Sequence, residues 1–242
     1  MKTKCVIFDF ENTLAKLSVD WKDAFLKIAD IYTKHGVPRE IVDQFKYAPI
    51  YLLHGVYEEM LQLFPKEKTE RIQKEALKTM ERYELEGVKA SELMPNSRET
   101  LMKLKDFGIK VGIVTSTSSL SVTKTLEKFG LTNCVDAIFS RDSPGRPKPS
   151  PDHVLACLEA LKCGPENALM VGDDLKDIAA AKNARVCSIG YLPERNEAWR
   201  KMSTDKQEIV ARDRMAKNAD KTIEDLSEII RIIRARNSIK SY

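Results

Sequence analysis

Cys5-Val6-Ile7-Phe8-Asp9-Phe10-Glu11-Asn12-Thr13-Leu14 carries four apolar residues without alternation into an acid. A short continuous apolar run closed by polar turn residues is the pattern of a strand covered on both faces, as in a parallel sheet. Ligands of open α/β sheets bind beyond the carboxyl ends of the strands. Asp9 falls at that edge. One acid after one strand ordinarily caps a helix or closes a turn, so its meaning rests on what ends the other strands.

Outward from Leu14 the period changes. Trp21, Phe25, Ile28 and Tyr32 recur at helical spacing, and Ile72, Ala76, Met80 and Tyr83 mark a second amphipathic helix. Between them the apolar, aromatic stretch 45–63 is expected to break at Pro49 and Gly55. Nothing from about residue 15 to 92 alternates like a strand, so this is a helical block inserted after the first strand. Beyond it, Asn96 with Glu99 three residues on predicts a helix N-cap, and Gly108 a helix stop. Buried strands are expected over 109–114, 136–139, 168–171 and 186–189, with a short edge strand at 221–223. Helices fall between them, one with Val154, Leu155, Leu158 and Leu161 on its apolar face. Strands alternating with helices define an α/β fold with a doubly wound parallel sheet. Residues 1–14 and 93–242 form its core, and 15–92 an inserted α-helical cap.

Composition sets the bounds. A chain of 242 residues, 43% apolar and 31% charged, suits one ordinary core with an insert. No apolar run is long enough to span a membrane, and the first residues lack a signal-peptide pattern. The five cysteines are scattered with no Cys-x-x-Cys pair, which argues against zinc or disulfides and for a reducing, cytoplasmic setting. From Arg195 onward there are 12 Lys/Arg against 8 Asp/Glu, a modest basic tail that reads as a solvated helix face rather than a nucleic-acid site. Residues 193–216, with Trp199, suggest an extra surface helix and a contact with another subunit, so the expected state is monomer or homodimer.

Polar residues stand at four strand ends: Asp9 with Glu11, Thr115 with Ser116, Lys148 after the third strand, and Asp173 with Asp177. Thr115, Asp173 and Asp174 could each cap a following helix, and Lys148 could be a solvated loop cation. Together, in this order, they describe phosphoryl transfer. A carboxylate such as Asp9 can attack a phosphate ester and form an aspartyl-phosphate. Two anions must meet, so a divalent cation is required; magnesium suits a few carboxylates plus water and substrate oxygens. Asp9 and Asp173 supply that pair, with Asp177 one helical turn along. Lys148 neutralises phosphoryl charge, and the Thr115 hydroxyl donates to one oxygen. Glu11 is placed to protonate the leaving group and then activate water. Asn12, Thr13 and Ser116 flank these groups as candidate substrate contacts. Tyr47, Tyr51 and His54 are the cap's candidates for reaching substrate, or rings packed between its helices. His153 reads as a helix-start residue.

These motifs resemble those of the haloacid dehalogenase-like (HAD) hydrolases, specifically phosphatases of the phosphoglycolate phosphatase type, over residues 1–14 and about 93–191. Asp-x-Asp-x-Thr is matched by Asp9 and Thr13, with Glu11 in place of the second Asp. Thr115 is the second motif, Lys148-Pro149-Ser150-Pro151-Asp152 the third, and Gly172-Asp173-Asp174-x-x-Asp177 the fourth. The resemblance implies a Rossmann-like core and Asp9 as nucleophile. It further implies magnesium held by Asp9, Asp173 and the carbonyl of Glu11, and a cap that closes over a small phosphorylated metabolite. Asn12 and Arg185 occupy positions where such chains usually carry Gly. The alternatives are a regulatory or binding protein weakened by Glu11, a phosphomutase, and a dehalogenase, which would lack the Glu11 carboxylate.

Overall fold

A computed structural model of the chain describes residues 2–45, 49–193 and 206–238. It divides into two compact units, Leu17–Ser91 and the pair Met1–Lys16 with Glu92–Tyr242.

The smaller unit is helical: α1 (Trp21–Lys34), α2 (Arg39–Asp43), α3 (Pro49–Leu63) and α4 (Lys66–Lys89). Asp20 caps α1 by accepting the Asp23 N–H at 2.9 Å. Ile28, Tyr32, Leu52, Leu53, Met60, Ile72 and Met80 interlock as its core. Burying each such side chain contributes about 1.5–3 kcal/mol. The Tyr32 hydroxyl, carried into that core, donates to Gln73 at 2.8 Å. Of the two breaks expected in the 45–63 stretch, the one at Gly55 does not occur, while a new helix begins at Pro49. Pro49 is the first residue of α3, where its missing N–H is no loss. Gly55 lies inside α3, and a Cβ there would stand 2.1 Å from the Phe45 ring, so close packing accounts for the glycine.

The larger unit is built on a six-stranded sheet. Its strands are β1 (Cys5–Phe8), β4 (Lys110–Val114), β5 (Ala137–Phe139), β6 (Ala168–Gly172), β7 (Cys187–Tyr191) and β8 (Lys221–Ile223). Their order is β5-β4-β1-β6-β7-β8, every pairing parallel. All four β1 residues are buried, because strands on both sides and helices on both faces cover them. The chain runs out through β4 and β5 and returns at β6. The order therefore reverses between β1 and β6, where doubly wound sheets bind ligands. Two further strands, β2 (Ala15–Lys16) and β3 (Glu92–Leu93), pair antiparallel. Ala15, Lys16 and Glu92, read from sequence as part of the insert, thus belong to a small ribbon in this unit.

Helices α5 (Ser97–Asp106), α6 (Ser119–Lys128), α7 (Asp152–Leu161), α8 (Leu175–Asn183), α9 (Lys206–Asn218) and α10 (Glu228–Ser238) complete the unit. The Asn96 cap differs from expectation. Asn96 is left-handed (φ 60°), makes no capping bond and instead donates to Asp225 at 2.5 Å. Leu155, expected on the buried face of α7, is 46% exposed, whereas Val154, Leu158 and Leu161 are buried. Helix α9 overlaps the 193–216 stretch read as a surface helix and runs two residues past it, with Met215 buried; Trp199 and residues 194–205 lie outside the described residues. All five cysteines are free thiols, and no described helix is long and apolar enough to cross a membrane.

Asn12 and Arg185 both have φ of 60°. Asn tolerates that region; Arg does so at a cost, since a Cβ there crowds the following carbonyl. Replacing Arg185 by Gly removes that clash but adds unfolded-state entropy. The expected net result is a gain of up to about 1 kcal/mol, read as a higher urea midpoint at unchanged slope.

Candidate active site

Asp9 leaves β1 at the reversal point, and its N–H donates to the Val171 carbonyl at 2.8 Å, which ties it to the end of β6. The chain then turns tightly: the Asn12 N–H reaches the Ala15 carbonyl at 2.8 Å, with Asn12 left-handed at the corner. That turn aims the buried Thr13 hydroxyl at Asp173, to which it donates at 3.2 Å. Thr13 thus positions a carboxylate.

Asp173 follows Gly172, the last residue of β6, and Asp174 caps α8. Asp174 and Asp177 form a reciprocal capping box: Asp174 accepts backbone N–H from the first turn, and Asp177 Oδ2 accepts the Asp174 N–H at 3.0 Å. The box locks Asp177 inward beneath Gly172. A Cβ at Gly172 would stand 2.4 Å from the Asp177 side chain, so glycine is required for this approach.

Lys148 joins these elements. Its Nζ, buried, donates to Asp9 Oδ1 at 2.5 Å and to Asp177 Oδ1 at 2.6 Å. Its loop is clamped by Asp152, which takes the Arg146 guanidinium at 3.1 and 3.3 Å, the Arg146 N–H at 3.0 Å and the Ser150 hydroxyl at 2.6 Å. Those bonds hold the Asp152 carboxyl below the usual carboxylate range.

Asp9, Asp173 and Asp177 each bring a carboxylate oxygen within 4.8 Å of the others. Three carboxyls gathered around one ammonium leave excess negative charge in a poorly hydrated place. Burial, then repulsion from Asp9 and Asp177, pushes the Asp173 carboxyl well up. Burial raises Asp177 to about 6, against the pull of Lys148. Burial opposes the Lys148 ammonium, but Asp177 and Asp9 outweigh it and hold its pKa above the ordinary value. An all-oxygen, over-negative cluster fits a hard divalent cation, which Asp9 and Asp173 could ligate. Asp177, with one oxygen on Lys148 and the other on the Asp174 N–H, is placed to support.

Thr115 directly follows β4, buried, its N–H on the Phe139 carbonyl at 2.9 Å. Its hydroxyl oxygen accepts the Thr117 N–H at 3.1 Å, which leaves the hydroxyl proton for another acceptor. The Ser116 carbonyl accepts from Arg141 at 3.2 Å. Glu11 is partly buried in the turn, and its carboxylate is not one of the three that converge. His54 lies on α3 in the helical unit; Tyr47 and the side chain of Tyr51 lie outside the described residues. His153, the second residue of α7, is buried with Nε2 lacking a partner, and burial lowers its pKa. The Thr117 contact was not evident from sequence, since a backbone donor carries no residue signature. The Asp174–Asp177 box was signalled by two acids three apart at a helix start.

Acids just past the ends of β1 and β6, with a buried lysine between them, place a charged site at the reversal point of a doubly wound α/β core. The chain matches the haloacid dehalogenase-like hydrolase profile over residues 6–191 and belongs to that family. It is 29% identical to a protein assigned as pyrophosphatase PpaX of Caldanaerobacter subterraneus, over 97% of this chain and 96% of that one. A phosphoglycolate phosphatase of Vibrio cholerae is 37% identical over 108 residues, 45% of this chain and about half (48%) of that protein. Among solved structures, a β-phosphoglucomutase from Clostridium difficile shares the fold with a TM-score of 0.63 at 18% identity, covering 97% of each chain. A HAD phosphatase from Thermococcus onnurineus does so at 0.57 and 23%, over 96% of this chain and 98% of that one.

Proposed function

We propose that this hydrolase is a magnesium-dependent phosphomonoesterase for a small phosphorylated metabolite, working through an aspartyl-phosphate on Asp9. The observation that carries the reading is the convergence of Asp9, Asp173 and Asp177 around Lys148. The names of the relatives, a pyrophosphatase and a phosphoglycolate phosphatase, share phosphoryl hydrolysis and differ in substrate.

Magnesium, when bound, brings the carboxylate and the phosphate together and offsets their repulsion. The Asp9 carboxylate attacks phosphorus and the ester oxygen leaves, taking a proton from Glu11. Lys148 and the Thr115 hydroxyl stabilise charge on the phosphoryl oxygens. Glu11, now a carboxylate, draws a proton from water as that water attacks the aspartyl-phosphate and frees Asp9. Thr13 keeps Asp173 in register, and Asp177 keeps Lys148 aimed. The helical unit between β2 and β3 acts as the substrate-selecting cap, with Tyr47, Tyr51 and His54 as its candidate contacts.

A panel of phosphorylated metabolites, assayed for released phosphate with and without magnesium, tests this reading. Excess chelator is expected to reduce turnover to background. Magnesium should restore it and calcium should not, because calcium takes more ligands at longer distances and misplaces the phosphate. Full turnover in chelator would exclude the proposed site.

Glu11 gives a sharper test. Glu11→Gln keeps the shape but cannot give or take the proton, a loss of about 10²–10⁴-fold. The loss should be largest for alkyl phosphates, whose leaving oxygen needs a proton. It should be smaller for burst-phase cleavage of an activated aryl phosphate. Equal activity of Glu and Gln on both would remove Glu11 from the chemistry.

A further inference from the structure

The sheet has a second edge, where its strands begin, and a cavity of about 330 Å³ opens there. Lys2, Lys4, Lys110 and Lys162 line it, and no aspartate or glutamate is among its lining residues. Strand register explains part of the clustering: the Lys110 N–H donates to the Lys4 carbonyl at 3.0 Å, so these residues stand side by side on β4 and just before β1. Lys162 arrives as the left-handed residue (φ 52°) that ends α7. Among the described residues, none of the four is seen in an ion pair with a carboxylate. Like charges gathered without a counter-charge repel, and an anion relieves that repulsion.

Two observations say what kind of anion. Thr3 also lines the cavity, and its hydroxyl oxygen is buried with no hydrogen-bond partner. A buried hydroxyl ordinarily has one, and a phosphate oxygen supplies it. Phe107, 46% exposed, gives the cavity an aromatic wall, and the Arg234 guanidinium lies 5.5 Å from its ring centroid. The volume sits at the low end for small-molecule sites, larger than a lone phosphate needs.

We propose that this cavity is a second ligand site, for an organic polyphosphate of nucleotide size, with phosphates on the lysines and a planar body against Phe107. It is separated from Asp9 by the length of β1, roughly 15 Å. Occupancy is therefore distinct from turnover.

Calorimetric titration of ADP into the full chain, in excess chelator, tests it; without a cation the acidic cluster at the other edge repels anions. A single site is expected, weakened at least tenfold by Lys4→Gln combined with Lys110→Gln and unchanged by Asp9→Asn. Phe107→Ser should weaken ADP but not inorganic triphosphate. A readout on the unaltered chain comes from its thiols. Cys163 lines the cavity and Cys187 does not, and both are partly exposed. Saturating ADP should slow alkylation of Cys163 and leave Cys187 at its own rate. The proposal is overturned by absence of ADP binding, by binding that Asp9→Asn abolishes or the lysine changes leave intact, or by Cys163 labelling that ADP does not slow. Equal affinity for ADP and inorganic triphosphate overturns the planar-body component.

Discussion

Asp9→Asn is expected to lower turnover on the order of 10⁴-fold or more, the scale on which loss of a nucleophile is felt. The amide cannot form an acyl phosphate and brings no charge to a cation. The fold should stand. Asn matches Asp in volume, and its carbonyl oxygen can still accept from Lys148 Nζ, as Asp9 Oδ1 does at 2.5 Å. Two electrostatic changes oppose each other: Lys148 loses one of its two carboxylate partners, while Asp173 and Asp177 lose a repelling neighbour. The melting temperature should therefore stay close to that of the wild type. Substantial turnover in the folded Asn variant would remove Asp9 from the chemistry and the first motif with it.

What was legible beforehand follows from how far each signal reaches along the chain. Cys5 to Phe8 and Ala168 to Val171 announce themselves because strands covered on both faces admit only apolar residues. Asp9, Thr115 and Asp173 were placeable because each directly follows such a run. The β2–β3 ribbon was invisible, since two residues on each strand hold no period. Gly55 read as a break because the Phe45 ring that fills the space beside it lies ten residues away. Lys148 was identified as a cation of the site, but its bonds to Asp9 and Asp177 span 139 and 29 residues. No local pattern encodes them. Thr13, read as a substrate contact, hydrogen-bonds Asp173 across 160 residues for the same reason. Asn96 misled because its side chain is satisfied by Asp225, beyond any local capping rule.

Lys148→Met carries the second large effect, and it separates stability from chemistry. Met replaces the ammonium with an apolar chain of similar length and leaves Asp9 and Asp177 buried without their partner. Removing one member of a buried ion pair costs about 3–5 kcal/mol. For a chain of this size each kcal/mol moves the melting temperature by roughly 2–4 °C. The loss should depend on pH in a defined direction. Burial already holds Asp177 at about 6 in the folded state, above the ordinary value of an aspartate, and Lys148 is what pulls it down. Without Lys148 its folded pKa rises further. A carboxyl whose folded pKa exceeds its unfolded one destabilises the fold above the unfolded pKa. That penalty fades as pH falls toward it, because protonation then favours the folded state. In chelator, urea unfolding at pH 8 should show the full deficit and at pH 5 a smaller one. Magnesium should recover more stability in the variant than in the wild type, since the cation takes over the neutralisation that the ammonium performed. Turnover should stay low at every magnesium concentration, because the phosphoryl oxygens have lost their Lys148 contact. A variant as stable as the wild type at pH 8 in chelator would mean that the Asp9–Lys148–Asp177 cluster does not hold the site together.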